Sequence, residues 1–197
     1  EQLELVKSNM GKEEEQVVLT SAFIYSFANI LKGFCTVLSG VNLSLPFDFL
    51  LNKKLEKFRK VPITTIMTSP DFCFRTKNYY PKLKTLYVGG AILNINEARA
   101  IKEKYKATDI VYIYGATECN LIAKIKLDEY INHLQNKKIA CLGTKALGVD
   151  IKNNDKNDPV ENVVGNGIKI SLEGKGRICR RGRYFLAQNR RFRKIYG

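Results

Sequence analysis

The sequence predicts an α/β fold: a parallel sheet with flanking helices at about residues 17–118, followed by a small antiparallel β annex. Up to residue 118, short β-branched and aromatic runs alternate with stretches of helical periodicity, and strands separated by helices pair in parallel through right-handed crossovers. After Cys119 the runs shorten and alternate between apolar and polar residues, with Gly, Asn and Asp between them. This second pattern is typical of antiparallel hairpins.

The parallel region is predicted to contain five strands with helices between them. The strands are VVLTS (17–21), VNLSL (41–45), ITTIM (63–67), LKTLYVG (83–89) and DIVYIYG (109–115). The predicted helices cover residues 27–39, 47–60, 69–77 and 94–106. The second helix is amphipathic, with its apolar residues on one side: Phe47, Leu50, Leu51, Leu55 and Phe58.

Two of these helices carry recognisable start signals. Ser69 is placed to cap the helix that begins at Pro70, because proline suits the first helical position. Asn94 is placed to cap the next helix, and Glu97 stands three residues on, as in a capping box.

The annex is predicted from four short segments: LIAKIKL (121–127), GVDIKN (148–153), NGIKIS (166–171) and GRICRRG (176–182). We therefore expect an α/β subdomain at residues 1–120. Residues 121–197 are expected to hold the remaining α/β part and a β-barrel-like annex of the same domain.

The composition is that of an ordinary globular protein, with 45% hydrophobic and 26% charged residues. No apolar run reaches the roughly 20 residues of a membrane span. The acidic, polar start resembles neither a signal nor a transit peptide, so a cytoplasmic location is expected. The five cysteines include no CxxC pair, which favours free thiols, and the lone His133 lacks partners for a metal site or a catalytic triad.

The net charge of +14 is concentrated towards the end of the chain. No acidic residue follows Glu173, whereas residues 175–194 contain nine Lys and Arg. A basic tail of this kind suits nucleic acid or an anionic membrane, but a solvated end that packs on other parts of the protein is the favoured interpretation. The charge alone therefore does not make nucleic acid the expected partner.

Three predicted strand ends carry small or polar residues: TSP (68–70), GGA (89–91) and YGATE (114–118). The carboxyl ends of parallel strands gather at one edge, where ligands bind in open α/β sheets. Consecutive glycines let a backbone approach a flat ligand. Thr117 offers a hydroxyl to a phosphate, Glu118 a hard oxygen for Mg²⁺, and Tyr114 a ring for stacking. The residues predict a phosphate-bearing ligand at this edge.

These segments resemble motifs of the adenylate-forming (AMP-binding) superfamily, which includes acyl-CoA synthetases and peptide-synthetase adenylation domains. YGATE is similar to the family's YG-x-TE signature, and LKTLYVGGAIL to its strand ending in GGA-x-L. ITTIMTSP, residues 21–45, CLGTKALGVDIK and GRICRRG resemble further motifs in the family's order. The resemblance covers about residues 17–186.

The resemblance implies a ligase that converts a carboxylate and ATP into an acyl-adenylate and then a thioester with coenzyme A or a carrier-protein phosphopantetheine. It assigns Glu118 to Mg²⁺ and Thr117 to phosphate as catalytic residues. Tyr114 and Gly115 would lie at the adenine, and Gly89, Gly90 and Ala91 would line the adenine and acyl pocket. A fatty acid is the expected carboxylate.

The sequence also departs from the family pattern. Tyr25 and Ala28 stand where the family usually has His and Gly, so the wall of the substrate pocket is expected to differ. The 197 residues include neither the family's phosphate loop, nor its ribose-binding Asp, nor its catalytic Lys. We therefore expect the chain alone to be inactive, with exposed apolar surface that promotes self-association. The alternatives are an aryl-CoA ligase, or a non-catalytic interaction module that uses the basic tail.

Overall fold

The computed structural model describes residues 16–21, 23–40, 48–77, 80–116, 119–137, 140–146, 167–170, 176–180 and 183–187. The chain divides into two units, residues 1–111 and 112–197, and strand β5 crosses their boundary. The predicted domain boundary at residue 120 stays a prediction.

Five helices and ten strands lie within the described ranges. The helices are α1 (Phe23–Leu31), α2 (Asp48–Glu56), α3 (Pro70–Arg75), α4 (Ile95–Lys104) and α5 (Leu127–Lys137). The strands are β1 (Val17–Thr20), β2 (Cys35–Leu38), β3 (Thr65–Thr68), β4 (Thr85–Gly89), β5 (Asp109–Ala116), β6 (Cys119–Lys126), β7 (Ala140–Lys145), β8 (Gly167–Ile170), β9 (Gly176–Arg180) and β10 (Arg183–Ala187).

The first unit is built on a parallel sheet with the strand order β2-β1-β3-β4. Helices connect its strands, as parallel pairing requires. The strand interiors are apolar and buried, among them Leu19, Ile66 and Leu86. The predicted class, a parallel sheet with flanking helices followed by antiparallel strands, is confirmed.

The predicted helix at 27–39 is wrong in its second half. Helix α1 ends at Leu31, and Gly33 adopts a φ of 78° that an L-residue rarely takes. The N–H of Gly33 donates to Ile30 O (2.9 Å) and that of Phe34 to Asn29 O (2.9 Å), the two bonds of a Schellman motif. The chain then forms strand β2, which pairs with β1. The predicted strand at 41–45 lies outside the described residues.

The predicted helix starts are confirmed. Ser69 caps α3 by accepting a hydrogen bond from Phe72 N (3.4 Å), with Pro70 at the first position. Asn94 Oδ1 accepts from Glu97 N (3.0 Å), and Glu97 Oε2 accepts from Asn94 N (2.8 Å), which completes the capping box. Helix α2 is shorter than predicted, but Leu51 and Leu55 are buried as expected.

The carboxyl end of α3 is held from two neighbouring helices. The Lys104 ammonium of α4 donates to the carbonyls of Cys73, Phe74 and Thr76. From α2, Asn52 Nδ2 donates to Arg75 O (3.0 Å), and Asn52 Oδ1 accepts from Lys77 N (2.7 Å). These contacts satisfy backbone groups that a helix end leaves without partners.

The second unit contains the predicted antiparallel strands and one helix that was not predicted. Strand β7 pairs antiparallel with β6 and β8, and β9 pairs with β10. Helix α5 occupies Leu127–Lys137, a stretch for which no individual helix was predicted. Its buried Leu127, Tyr130 and Ile131 have helical spacing, and its first turn is acidic. The predicted segment at 148–153 lies outside the described residues.

Cys35, Cys73 and Cys141 are free thiols, as predicted for these three positions. Burial raises the pKa of the Cys73 thiol to about 12, so this side chain is a neutral core group. Among the described residues, no helix is long and apolar enough to cross a membrane.

Candidate functional site

The strand ends of the first unit meet along one edge of its sheet. Thr20 of β1 is in register with Met67 of β3, and Thr68 of β3 with Val88 of β4. Because the three strands are parallel neighbours, the segment TSP (68–70) and the segment GGA (89–91) leave the sheet at the same edge. The edge therefore brings together two of the three predicted site segments.

A pair of hydroxyl groups lies at the ends of β1 and β3. Ser21 Oγ and Thr68 Oγ1 share a hydrogen bond of 2.7 Å, and Ser21 N donates to Met67 O (3.3 Å). Thr68 is buried, whereas Ser21 is half-buried. In TSP the two hydroxyls have different tasks, since Ser69 caps α3 and Thr68 belongs to this edge pair.

The Gly-Gly segment forms an open corner at the end of β4. Gly90 is exposed and has a φ of 95°, which L-residues rarely adopt. Nothing lies within 4 Å of a Cβ built at this position. The glycine is therefore required by its conformation and not by a steric clash, and the space beside it is free for a ligand. The half-buried Gly89 and Ala91 flank it.

Helix α1 begins just beyond the end of β1 and carries the two predicted pocket residues. Ala28 is buried, and Tyr25 is half-buried. Burial raises the pKa of the Tyr25 phenol to about 12, so the group is protonated and neutral at physiological pH.

Two residues of this region were not predicted as part of the site. Asn29, one helical turn after Tyr25, is buried, and its Nδ2 donates to Met67 Sδ at 3.6 Å. Ser21 pairs with Thr68. A polar residue four positions after Tyr25 in a mostly apolar helix was the available signal for Asn29.

The third predicted segment belongs to the second unit. Tyr114 and Gly115 are half-buried at the end of β5, and burial raises the pKa of the Tyr114 phenol. Thr117 and Glu118 lie outside the described residues. Their assignment to phosphate and to Mg²⁺ stays a prediction.

Solved structures with the same fold are adenylate-forming enzymes. The N-terminal domain of FACL13 from Mycobacterium tuberculosis has a TM-score of 0.59 and 11% identity, over 99% of this chain and 48% of that one. The o-succinylbenzoate CoA synthetase MenE from Bacillus subtilis, in complex with the acyl-adenylate intermediate OSB-AMP, has a TM-score of 0.58 and 16% identity, over 89% of this chain and 34% of that one.

A luciferase-like enzyme from the mealworm Zophobas morio has a TM-score of 0.56 and 16% identity, covering 95% of this chain and 45% of its own.

No family model and no curated protein sequence matches the chain. The chain thus spans less than half the length of these three proteins, and at such identities the likeness is one of fold. At the level of the fold, this likeness agrees with the resemblance to adenylate-forming enzymes seen in the sequence.

Proposed function

We propose that the chain is part of an ATP-dependent ligase that forms acyl-adenylates. A carboxylate and ATP would give acyl-AMP and pyrophosphate, and a thiol of coenzyme A or of a carrier-protein phosphopantetheine would then take the acyl group. The observation that carries the proposal is the shared edge of TSP and GGA, on a fold found in adenylate-forming enzymes.

The first step is an attack of a carboxylate oxygen on the α-phosphorus of ATP. The new bond joins this oxygen to phosphorus, and the bond from phosphorus to the bridging oxygen of the leaving pyrophosphate breaks. Such a reaction depends on positioning and on stabilisation of developing charge more than on an acid–base pair. The protein's part would therefore be to bind and orient both substrates.

The residues predicted to contact ATP and Mg²⁺ have tasks of this kind. The open corner at Gly89, Gly90 and Ala91 would lie against the adenine and the acyl group, while Tyr114 and Gly115 would contact the adenine and Thr117 a phosphate. Glu118 would hold Mg²⁺, which supplies positive charge to the phosphates when bound. The free space beside Gly90 suits such a role.

The fold alone leaves the carboxylate open. MenE is described with an o-succinylbenzoyl adenylate, and VinN, with a TM-score of 0.52, with L-aspartate. A fatty acid is our expectation from the sequence, and an aryl acid is the alternative within the same class of enzyme. We also propose the cytoplasm as the compartment, because the free thiols suit a reducing environment.

ATP–pyrophosphate exchange tests the proposal. The product of the complete open reading frame should catalyse carboxylate-dependent exchange with a panel of fatty, aryl and amino acids, whereas the 197-residue chain alone should not. Absence of exchange from the complete product with every acid would overturn the proposed function. Robust exchange by the 197-residue chain would overturn our expectation that it is inactive.

An interaction module is the second candidate, favoured by the basic hairpin β9–β10. In its register Arg180 pairs with Arg183 and Arg177 with Leu186, so three arginines belong to one two-stranded element. Binding of duplex DNA or of anionic vesicles that weakens steeply with salt would favour this candidate. Weak, salt-insensitive binding would exclude it.

Self-association through apolar surface is also proposed. The exposed large apolar residues of the first unit include Phe27, Ile30 and Leu31 on α1 and Leu38 on β2. Strand β2 ends the described sheet, and such an edge exposes backbone groups that can pair with a second copy. Sedimentation should detect a dimer at micromolar concentration, and a monomer throughout would contradict this.

A further inference from the structure

Helix α1 combines buried polar side chains with exposed apolar ones. Its buried side contains Ser26 and Asn29, which are 3% and 1% exposed, together with the apolar Ala28. Its outward side contains Ile30 and Leu31, which are 62% and 54% exposed. A helix on a sheet normally buries apolar residues and exposes polar ones. The buried carboxamide of Asn29 therefore needs an explanation other than core packing.

Asn29 is poorly satisfied for a buried polar residue. A carboxamide offers two donors and an acceptor, and among the described residues its side chain is bonded only to the sulfur of Met67, a weak acceptor, at 3.6 Å. Buried polar groups are normally paired well, and exceptions call for a ligand, a water or a functional role. The carboxamide thus retains hydrogen-bonding capacity next to strand β3.

The same region contains other uncharged polar groups. Tyr25 precedes Asn29 by four residues, so the two side chains leave α1 on the same side. Ser21 and Thr68 form their hydroxyl pair at the ends of β1 and β3, and Met67, the acceptor of Asn29, directly precedes Thr68. We call Ser21, Tyr25, Asn29 and Thr68 the polar wall.

We propose that the polar wall selects a carboxylic acid that carries a hydroxyl group in addition to its reacting carboxylate. This inference rests on the proposed function and concerns the acyl substrate of the same site. The wall is uncharged, which suits a neutral hydroxyl better than a second ionised group. An unsubstituted fatty acid would place methylene groups against the carboxamide and the hydroxyls, which desolvates them without new hydrogen bonds.

The test compares hydrolytically stable acyl-adenylate mimics that differ by one oxygen atom. The probes are adenosine sulfamates of hexanoic acid and of its monohydroxylated derivatives, and the protein is the product of the complete open reading frame. At least one hydroxylated probe should bind about tenfold or more tightly than the parent, because a site built for a hydroxyl disfavours an analogue without it.

Two variants test the assignment to the polar wall. Asn29→Leu removes the carboxamide at similar size, and Ser21→Ala combined with Thr68→Val removes both hydroxyls. In each, the preference for the hydroxylated probe should fall towards unity. Because the readout is a ratio of two affinities in one protein, a general loss of stability does not produce this result. Ile30→Ser, on the outward side of the same helix, is the matched control and should keep the preference.

The outcomes separate this inference from the proposed function. Equal binding of parent and hydroxylated probes by the wild-type protein would overturn the inference and leave the proposed function intact. A preference that survives in both variants would overturn the role of the polar wall. Failure of AMP and of every probe to bind would overturn the proposed function, and this inference with it.

Discussion

Helices α1 and α4 lie in the same unit but follow opposite rules. Helix α4 begins with a complete capping box, buries Ala98 and Ile101, and exposes charged residues such as Arg99 and Lys102. Helix α1 buries Ser26 and Asn29 and exposes Ile30 and Leu31. The elementary rules of helix stability account for α4, whereas they do not account for the buried carboxamide and the exposed apolar side chains of α1.

We interpret this difference as one between a helix of the scaffold and a helix of the proposed site. A helix that satisfies its own caps and buries its own apolar side contributes to the fold and needs no partner. A helix that buries a carboxamide and exposes large apolar side chains has further contacts to make, either with a ligand on its buried side or with another surface on its exposed side. Variants in the two helices should therefore affect different measurements.

The largest effect on stability is expected from Ile101→Ala in α4. Ile101 is buried, and deleting its side chain leaves a cavity, so the free energy of unfolding should fall by about 2–5 kcal/mol. Urea denaturation followed by circular dichroism measures this. Lys102→Ala, at the adjacent exposed position, should stay within about 0.5 kcal/mol. Similar losses in both variants would show that α4 is not an ordinary core helix.

The second prediction concerns Glu118, a carboxylate that follows the end of a predicted strand in the sequence. In the product of the complete open reading frame, Glu118→Gln should lower the rate of pyrophosphate exchange about a hundredfold, because the charge that we propose to hold Mg²⁺ is lost. Stability should barely change. Near-normal exchange with the same Mg²⁺ dependence would make Glu118 a surface acid or a helix cap.

A smaller effect is expected at the start of α4. Asn94→Ala removes the cap that accepts from Asn96 N and Glu97 N, both at 3.0 Å, and should cost about 1 kcal/mol. Combining it with Glu97→Ala should cost less than the sum of the single variants, since the two side chains form one capping box. Strict additivity in urea denaturation would contradict that coupling.

The smallest change in stability is expected from Ile30→Ser in α1. The side chain is largely exposed, so the free energy of unfolding should shift by less than about 0.5 kcal/mol. Self-association measured by sedimentation should nevertheless weaken. A loss of stability comparable to that of Ile101→Ala would mean that Ile30 packs within its own unit, and the contrast between α1 and α4 would fail.

Local patterns predicted the scaffold well because its signals are close together in sequence. The caps at Ser69 and Asn94 involve partners three residues away, and the strand predicted at 109–115 contains a continuous run of apolar and aromatic residues at 110–114. The error at 27–39 arose because apolar residues continue through Gly33 into β2, and periodicity alone did not separate the helix from the strand. Helix α5 was missed because it directly follows β6, without a turn.

Of the candidate site, only the part whose position follows from the sheet topology could be predicted from the sequence. The common edge of TSP and GGA follows from parallel pairing, which the sequence pattern indicated. The bond between Ser21 and Thr68 joins residues 47 positions apart, and that between Asn29 and Met67 spans 38 positions. No periodicity records such contacts, because the first depends on the register of β1 against β3 and the second on how α1 packs on the strands.

The two supports at the end of α3 have a consequence for motion. A helix of six residues cannot persist alone in water, and the last carbonyls of α3 are held by Lys104 of α4 and Asn52 of α2. Opening α3 would break contacts with both neighbours at once. The three helices should therefore behave as one cooperative unit in native-state hydrogen exchange, with the amides of α3 exchanging no faster than those at the end of α4. Thr68 and Ser69 directly precede α3. The hydroxyl pair of Ser21 and Thr68 therefore has a rigid support on the side of β3.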